Sequence, residues 1–328
     1  MLMPILTKKP IENPKKQSFE APQLAKKMTI FPSHSKTPAF TISQISLYNK
    51  NLPQINKTSQ NFSLLNKTCI SKPQVTAKSW AIYDTNSETF IDSHKDSDKR
   101  EIASLTKIMT CIVAIEEIME NKRSFDETVE ISLSAASISG TKAGLSSKDT
   151  LKIIDLLYAL MLPSGNDAAL ALAETIGSHC IGNEVEYFVQ CMNIMAQRLG
   201  LRNTKFCNPH GMSTSKNIST AADLACLAGY AMKNRLFKKI VSSLGYSCGV
   251  LNGNFYRRID WMNTNRLLTQ GFNGVKTGFT PAAGPCLCCS ISEGNFSVVI
   301  VILKSRYRHL RWSEALRLWS WATSAGIM

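Results

Sequence analysis

Much about this 328-residue chain follows from what it lacks. No apolar run approaches the eighteen or so residues that a membrane-spanning helix requires, so no span is expected. The first 77 residues contain no glycine and no arginine, only two acids (Glu12 and Glu20), and no sustained apolar periodicity. No apolar stretch of adequate length follows the first charges, which argues against a secretory signal peptide. Too little apolar surface is available there to offset the entropy of ordering the chain, so residues 1–77 are expected to form a disordered, proline-containing extension. The ten cysteines show no paired zinc-type spacing with histidine, and no metal site is expected. They read instead as small buried hydrophobes, which fits a reducing compartment better than a secreted one.

What is present sits unevenly. The net charge of +14 suggests a nucleic-acid or membrane binder until it is divided along the chain. Eleven lysines and eight of the twelve prolines fall in residues 1–77, leaving the remainder only mildly basic. A polybasic arm for nucleic acid or anionic lipid is one reading; scattered charge is more often simply solvated, and no nucleic-acid partner is expected. Poverty in acids with abundant hydroxyls resembles an organelle transit peptide, against which stands the absence of arginine before Arg100. The compartment stays unassigned.

From Lys78 the pattern changes, and residues 78–328 are expected to form one catalytic-sized domain. KSWAIYD and ETFIDS read as a hairpin, and an apolar helix runs from Leu105 to about Asn121. TLKIIDLLYALML (Thr150–Leu162) reads as a helix capped by Asp149 or Thr150 and broken by Pro163. Further helices are expected to Gly177, from Asn183 (with Glu186 as a capping box) to Gly200, and from Thr220 to Lys233. After Leu244 come strand-like runs: YSCGVL, NFYRRIDW, GVKTGFT, CLCCSIS and NFSVVIVILK. Asn273–Gly274 and Gly294–Asn295 supply turns between them. In CLCCSIS neighbouring cysteines must point to opposite faces. A last amphipathic helix, roughly Leu310–Thr323, turns Leu316 and Trp319 inward. Two strands, then helices, then strands describe an α+β domain whose sheet unites both ends of the ordered chain.

Three polar clusters lie in these apolar surroundings. EIASLTKIMTC places Ser104 and Lys107 one turn apart at the start of a buried helix. A capping serine with a surface lysine is the plain alternative. PSGN (Pro163–Asn166) lies in a break between helices, where a Ser-x-Asn is an ordinary capping device. VKTGFT (Val275–Thr280) follows an Asn-Gly turn. Each is weak by itself. In the order S-x-x-K, S-x-N, K-T-G they are far more specific.

With these motifs the sequence resembles the serine penicillin-binding proteins, and more closely the D-alanyl-D-alanine carboxypeptidase family of low molecular mass. ASLTKIMT, LLYALMLPSGNDAA, FCNPHGM and NTNRLL…GFNGVKTGFTPAAG carry the likeness across roughly residues 79–322. The resemblance implies a five-stranded antiparallel sheet flanked by helices, with a mostly helical subdomain. It implies Ser104 as nucleophile and Lys107 as its base, the lysine kept neutral by burial and by a second cation, Lys276. Ser164 would relay a proton to the leaving amine, and Asn166 would hold the substrate amide and position Lys107. Backbone N–H groups of Ser104 and Phe279 would receive the oxyanion, and Gly278 would let substrate backbone lie close. Lys276, Thr277 and Arg311, thirty-five residues after Lys276, would bind the terminal carboxylate. Arg311 reads equally as one of a basic cluster with Arg306 and Arg308. His210, in NPHGM, matches a histidine near the cleft, or is a structural turn residue.

The implied substrate is a small peptide ending in D-Ala-D-Ala, with β-lactams as inhibitors and no cofactor. A β-lactamase-type hydrolase is the alternative; Glu174 does not match the glutamate such enzymes use. A penicillin-binding fold kept as a non-catalytic binding protein is another. Many members add a second small β-domain and a C-terminal amphipathic anchor, neither of which is expected before Met328.

Overall fold

The structure, a computed structural model, describes residues 71–212, 217–294 and 296–324. The expectations for residues 1–70, for Cys69 and for the Asn295 half of one turn lie outside the described residues.

The chain opens with the expected hairpin, β1 (Ser79–Asp84) and β2 (Thr89–His94), then the two-residue β3 (Arg100–Glu101). A single 3-10 turn at Ala103–Leu105 leads into α1 (Thr106–Glu120). Next come β4 (Thr128–Glu130), α2 (Leu133–Ser137), β5 (Thr150–Lys152), α3 (Ile153–Met161), α4 (Asn166–Ile176) and α5 (Glu184–Arg198). After β6 (Ile218–Ser219) follow α6 (Ala221–Lys233), α7 (Arg235–Ser242) and the hairpin β7 (Gly245–Asn252) with β8 (Phe255–Met262). A second 3-10 turn (Arg266–Gln270), β9 (Gly274–Thr280), β10 (Gly284–Glu293), β11 (Phe296–Leu303) and α8 (Leu310–Ser324) complete the domain. No helix among the described residues is long and apolar enough to cross a membrane.

The main sheet has five antiparallel strands in the order β2-β1-β11-β10-β9, uniting both ends of the domain as expected. Its central strands are buried on both faces, which is why FSVVIVIL reads as a continuous apolar run rather than an alternation. In β10, Cys286 and Cys288 enter the large core shared with α1, α3, α4 and α6. Leu287 and Cys289, on the opposite face, enter the smaller core covered by α8. Cys286, Cys288 and Cys289 form no disulfide.

Three expectations need correction. β7 and β8 do not join the main sheet; with β4 and β5 they form a separate four-stranded sheet. The helix expected at Thr150 begins at Ile153, because residues 150–152 pair with β4 and β7, and the Lys152 N–H is taken by the Asp155 carboxylate at 3.0 Å. Asn183 makes no side-chain cap, whereas Thr220 accepts the Asp223 N–H at 3.1 Å as expected. On α8 Leu316 and Trp319 pack inward against the smaller core as expected, beside the deeper Ala315, Leu318, Trp321 and Ala322.

Candidate active site

The turn carrying Ser104 is shaped by its neighbours before any chemistry begins. Ile102, Ala103 and Leu105 are buried, which pins the turn to the core and leaves Ser104 half-exposed. Ala103 takes a φ of +48°, in the left-handed region. Two glycines make room for it. A Cβ on Gly211, itself at φ +87°, would lie 2.0 Å from the Ala103 carbonyl oxygen. A Cβ on Gly278 would lie 3.0 Å from the Ile102 oxygen and 3.3 Å from the Ser104 nitrogen. At Gly278, therefore, the close approach on view is the chain's own, between β9 and the Ser104 turn.

The capping readings of both serines fail. Neither α1 nor α4 has a side-chain cap, and the Ser164 hydroxyl is buried with no hydrogen-bond partner. Nor is Lys107 a surface lysine. It is fully buried, and its Nζ lies 2.7 Å from Asn166 Oδ1, 2.7 Å from the His210 carbonyl oxygen and 3.2 Å from Ser104 Oγ. The two carbonyls can only accept, so they fix two N–H bonds and aim the third tetrahedral position of the nitrogen at Ser104. Burial first, then the charge of Lys276, holds the Lys107 pKa well below the ordinary lysine range, with Asp167 acting weakly the other way.

Asn166 opens α4 and is tied down on every side. Its Nδ2 donates to the Ser139 carbonyl at 2.8 Å and its backbone N–H to Thr141 O at 2.8 Å. Asp167 beside it is fully buried and accepts the N–H groups of Ala143, Gly144, Leu145 and Ala168 at 2.9–3.1 Å. The loop bearing Ser139 and Thr141 is thereby held by two adjacent side chains, with the Trp261 indole bonding Ala143 O at 2.7 Å. Ser164 sits at φ +70° in the same break but bonds to neither Ser104 nor Lys107.

Lys276 on β9 is buried, its Nζ donating to Thr277 O at 3.1 Å, and burial with the nearby Arg311 pushes its pKa down to about 7. The Thr277 hydroxyl meets that of Thr264 at 2.9 Å. Arg311, in the first turn of α8, reaches across β9 and β10, its Nη1 donating to Gly278 O at 3.0 Å and Cys286 O at 3.2 Å. Its Nε is buried without a partner, and burial pushes its pKa down to about 10. Phe279 is 40% exposed and lies under the Arg308 guanidinium, 3.6 Å from ring centre. β9 is an edge strand of the sheet, so backbone groups along it lack a strand partner on the outer side.

His210 meets Lys107 through its backbone carbonyl. The ring is buried, Nδ1 accepts the Met212 N–H at 3.2 Å, and burial followed by the Lys107 charge pushes its pKa down to about 4. Sequence reasoning missed Asp167, Asn208 and Asn217. Asn208 Oδ1 accepts the His210 and Gly211 N–H groups, while Asn217 Nδ2 donates to Thr106 Oγ1 at 3.0 Å. Asp167 had a local signal, an acid in the first turn of a helix. Nothing local marks Asn217. Glu174 is bonded to the Ser132 hydroxyl at 2.7 Å.

The family model of the D-alanyl-D-alanine carboxypeptidases matches residues 66–306. The chain belongs to that family. It is 32% identical over 260 residues to the D-alanyl-D-alanine carboxypeptidase of Streptomyces sp. strain K15, an alignment spanning 76% of this chain and 88% of that relative. Against DacF of Bacillus subtilis it is 33% identical over 228 residues, covering 69% of this chain and 57% of DacF. The chain likewise spans only 62% of the Escherichia coli carboxypeptidase DacC. Among solved structures, the Streptomyces K15 DD-transpeptidase superposes with a TM-score of 0.74 at 32% identity, covering 78% of this chain and all of that one. The carboxypeptidase DacD of Francisella tularensis gives 0.71 at 27% identity, covering 81% and 74%. The fold is the α+β fold of these DD-peptidases.

Proposed function

We propose that this protein is a serine-type D-Ala-D-Ala carboxypeptidase that works through an acyl-enzyme on Ser104. The observation carrying this is the Lys107 amine, stripped of water and pinned by two carbonyls so that its remaining position faces Ser104 Oγ. With Lys107 neutral, its lone pair takes the Ser104 proton as Oγ attacks the carbonyl of the penultimate D-alanine. The oxyanion is received by the N–H groups of Ser104 and Phe279. Collapse breaks the peptide bond, and the proton reaches the leaving amine of the terminal D-alanine through the Ser164 hydroxyl, which no protein group engages. Water then attacks the ester, returning the proton to Ser104 and releasing the shortened peptide.

The terminal carboxylate is drawn to Lys276, Thr277 and Arg311. A buried lysine and a half-buried arginine, both with lowered pKa values and with no carboxylate partner among the described residues, favour an incoming anion. β-Lactams, whose carboxylate sits next to a strained amide, fit the same groups and are expected to acylate Ser104. The β-lactamase alternative needs a carboxylate that activates water at the acyl ester; Glu174 bonds the Ser132 hydroxyl and makes no hydrogen bond to Ser104, Lys107, Ser164 or Asn166. Intact-mass measurement after exposure to penicillin, with the adduct mapped to its peptide, tests the reading. A persistent adduct on Ser104 together with D-alanine release from a D-Ala-D-Ala peptide is expected. Rapid return to the free mass would make the protein a β-lactamase, and an adduct without peptide turnover would make it a binding protein.

A further inference from the structure

One turn beyond Arg311 on α8 lies a carboxylate that the proposed chemistry does not use. Glu314 is fully buried, and no cation pairs with it among the described residues. It is satisfied by neutral donors instead. Oε1 accepts the Thr76 N–H at 2.5 Å and the Thr76 hydroxyl at 2.6 Å, and Oε2 accepts the Ser305 hydroxyl at 2.6 Å. Thr76 Oγ1 in turn accepts the Arg306 N–H at 2.9 Å, and the Ser305 N–H goes to Pro285 O at 3.0 Å.

These bonds converge on the short strap 304–309 between β11 and α8. At its end, two guanidinium groups reach β9. Arg308 covers Phe279, and Arg311 holds the Gly278 carbonyl. Positions three apart on a helix share a side, so fixing Glu314 also fixes the bearing of Arg311. A buried carboxylate is a costly way to pack a helix, since an apolar side chain would be more stabilising. What it adds is direction. Short charge-assisted bonds to three donors allow one position of the strap. Thr76 belongs to neither strand nor helix, and it lies upstream of the whole sheet. Lys72, four residues earlier, bonds Asp92 at 2.7 Å and lies over the Trp80 ring, so this lead-in is itself moored.

We propose that Glu314 and Thr76 are positioning residues for carboxylate recognition. From outside the cleft they lock the strap and the first turn of α8, and so place Arg308 and Arg311 along β9. The inference rests on the function proposed above for the carboxylate end of the cleft. It makes a segment upstream of β1 part of the substrate-recognition machinery.

Thr76→Val tests it, because the residue is exposed and the change replaces the hydroxyl by a methyl group of similar size; Thr76→Ser keeps the hydroxyl. For each variant, kcat/KM is measured on a D-Ala-D-Ala peptide and on the same peptide with its C-terminus amidated. Thr76→Val is expected to lose roughly tenfold on the free carboxylate, mostly in KM, and less than twofold on the amide. Thr76→Ser is expected to match the wild type on both. Equal losses on the two substrates would reduce the lock to general stability, and no loss on either would remove it; both overturn the proposal. Hydrogen exchange of residues 304–310 provides a readout that does not require turnover. If the wild type forms no adduct at Ser104, the carboxypeptidase reading fails, and exchange then decides the lock alone. Faster exchange in Thr76→Val but not in Thr76→Ser upholds it, and unchanged exchange overturns it.

Discussion

Lys107 and Asn166 meet through a 2.7 Å hydrogen bond from Nζ to Oδ1, tighter than the 3.2 Å contact of the same amine with Ser104 Oγ. The amide thus sets where the lysine points, and the lysine sets what the serine can do. Asn166→Ala should leave the fold intact and slow penicillin acylation on the order of a hundredfold, the cost of a misplaced base. Asn166→Asp should keep the acceptor but add a negative charge, moving the acid limb of the acylation rate to higher pH. Stopped-flow acylation across pH checks both.

Ser104→Ala should abolish labelling by a fluorescent penicillin while the melting temperature stays near that of the wild type, since one half-exposed hydroxyl is removed. Labelling that survives the substitution would reject Ser104 as nucleophile. Lys107→Ala should lower the acylation rate constant far more than it weakens initial binding.

The pH dependence follows from two lysines with opposite requirements. In the proposed mechanism Lys107 acts as a base only after losing its proton, which burial and Lys276 favour well below the ordinary lysine range. In the same proposal Lys276 attracts the substrate carboxylate only while charged, and burial with Arg311 brings its pKa down to about 7. kcat/KM should therefore rise with pH through the Lys107 ionisation and decline as pH passes upward through about 7. Lys276→Arg, which stays charged, should lose the alkaline decline.

Lys276 also sets a trade between stability and activity. Its folded pKa of about 7 lies below the ordinary 10.5, so between those values the unfolded chain binds the extra proton and stability rises with pH. Below about 7 the folded state carries the full penalty of a buried cation. Lys276→Met should stabilise the domain by about 1–4 kcal/mol at pH 6, with the gain shrinking toward pH 10, while acylation falls. Thermal melts at the two pH values, paired with penicillin labelling, check this.

The two glycines beside Ser104 should differ in what they cost. Gly278→Ala places a methyl 3.0–3.3 Å from the Ile102 oxygen and the Ser104 nitrogen, so the fold should survive and acylation should drop roughly tenfold to a hundredfold. Gly211→Ala places one 2.0 Å from the Ala103 oxygen at a residue already at φ +87°, and should lower the melting temperature as well. Circular dichroism melts with acylation kinetics separate the two.

Much of the site was legible because its residues break local rules. A lysine one turn after a serine in an apolar helix, and a Ser-x-Asn in a helix break, stand out against the pattern around them. Asn217 was not legible, since its partners Thr106 and Asn208 lie far along the chain or in an irregular turn. The separate sheet of β7 and β8 was hidden for a related reason. Alternation in YSCGVL and NFYRRIDW specifies a half-buried strand but not which strand it pairs with.

By itself the sequence determined the elements and their chemistry: the doubly buried strand β11, the apolar stripe of α1, and three polar motifs in a fixed order. Only the tertiary structure decided that Lys107 is dry, that its two N–H bonds are occupied by Asn166 and His210, and that Gly211 and Gly278 shape the turn of Ser104. Periodicity and propensity act over a few residues. A pKa lowered by burial and a glycine demanded by a distant carbonyl exist only once remote segments meet.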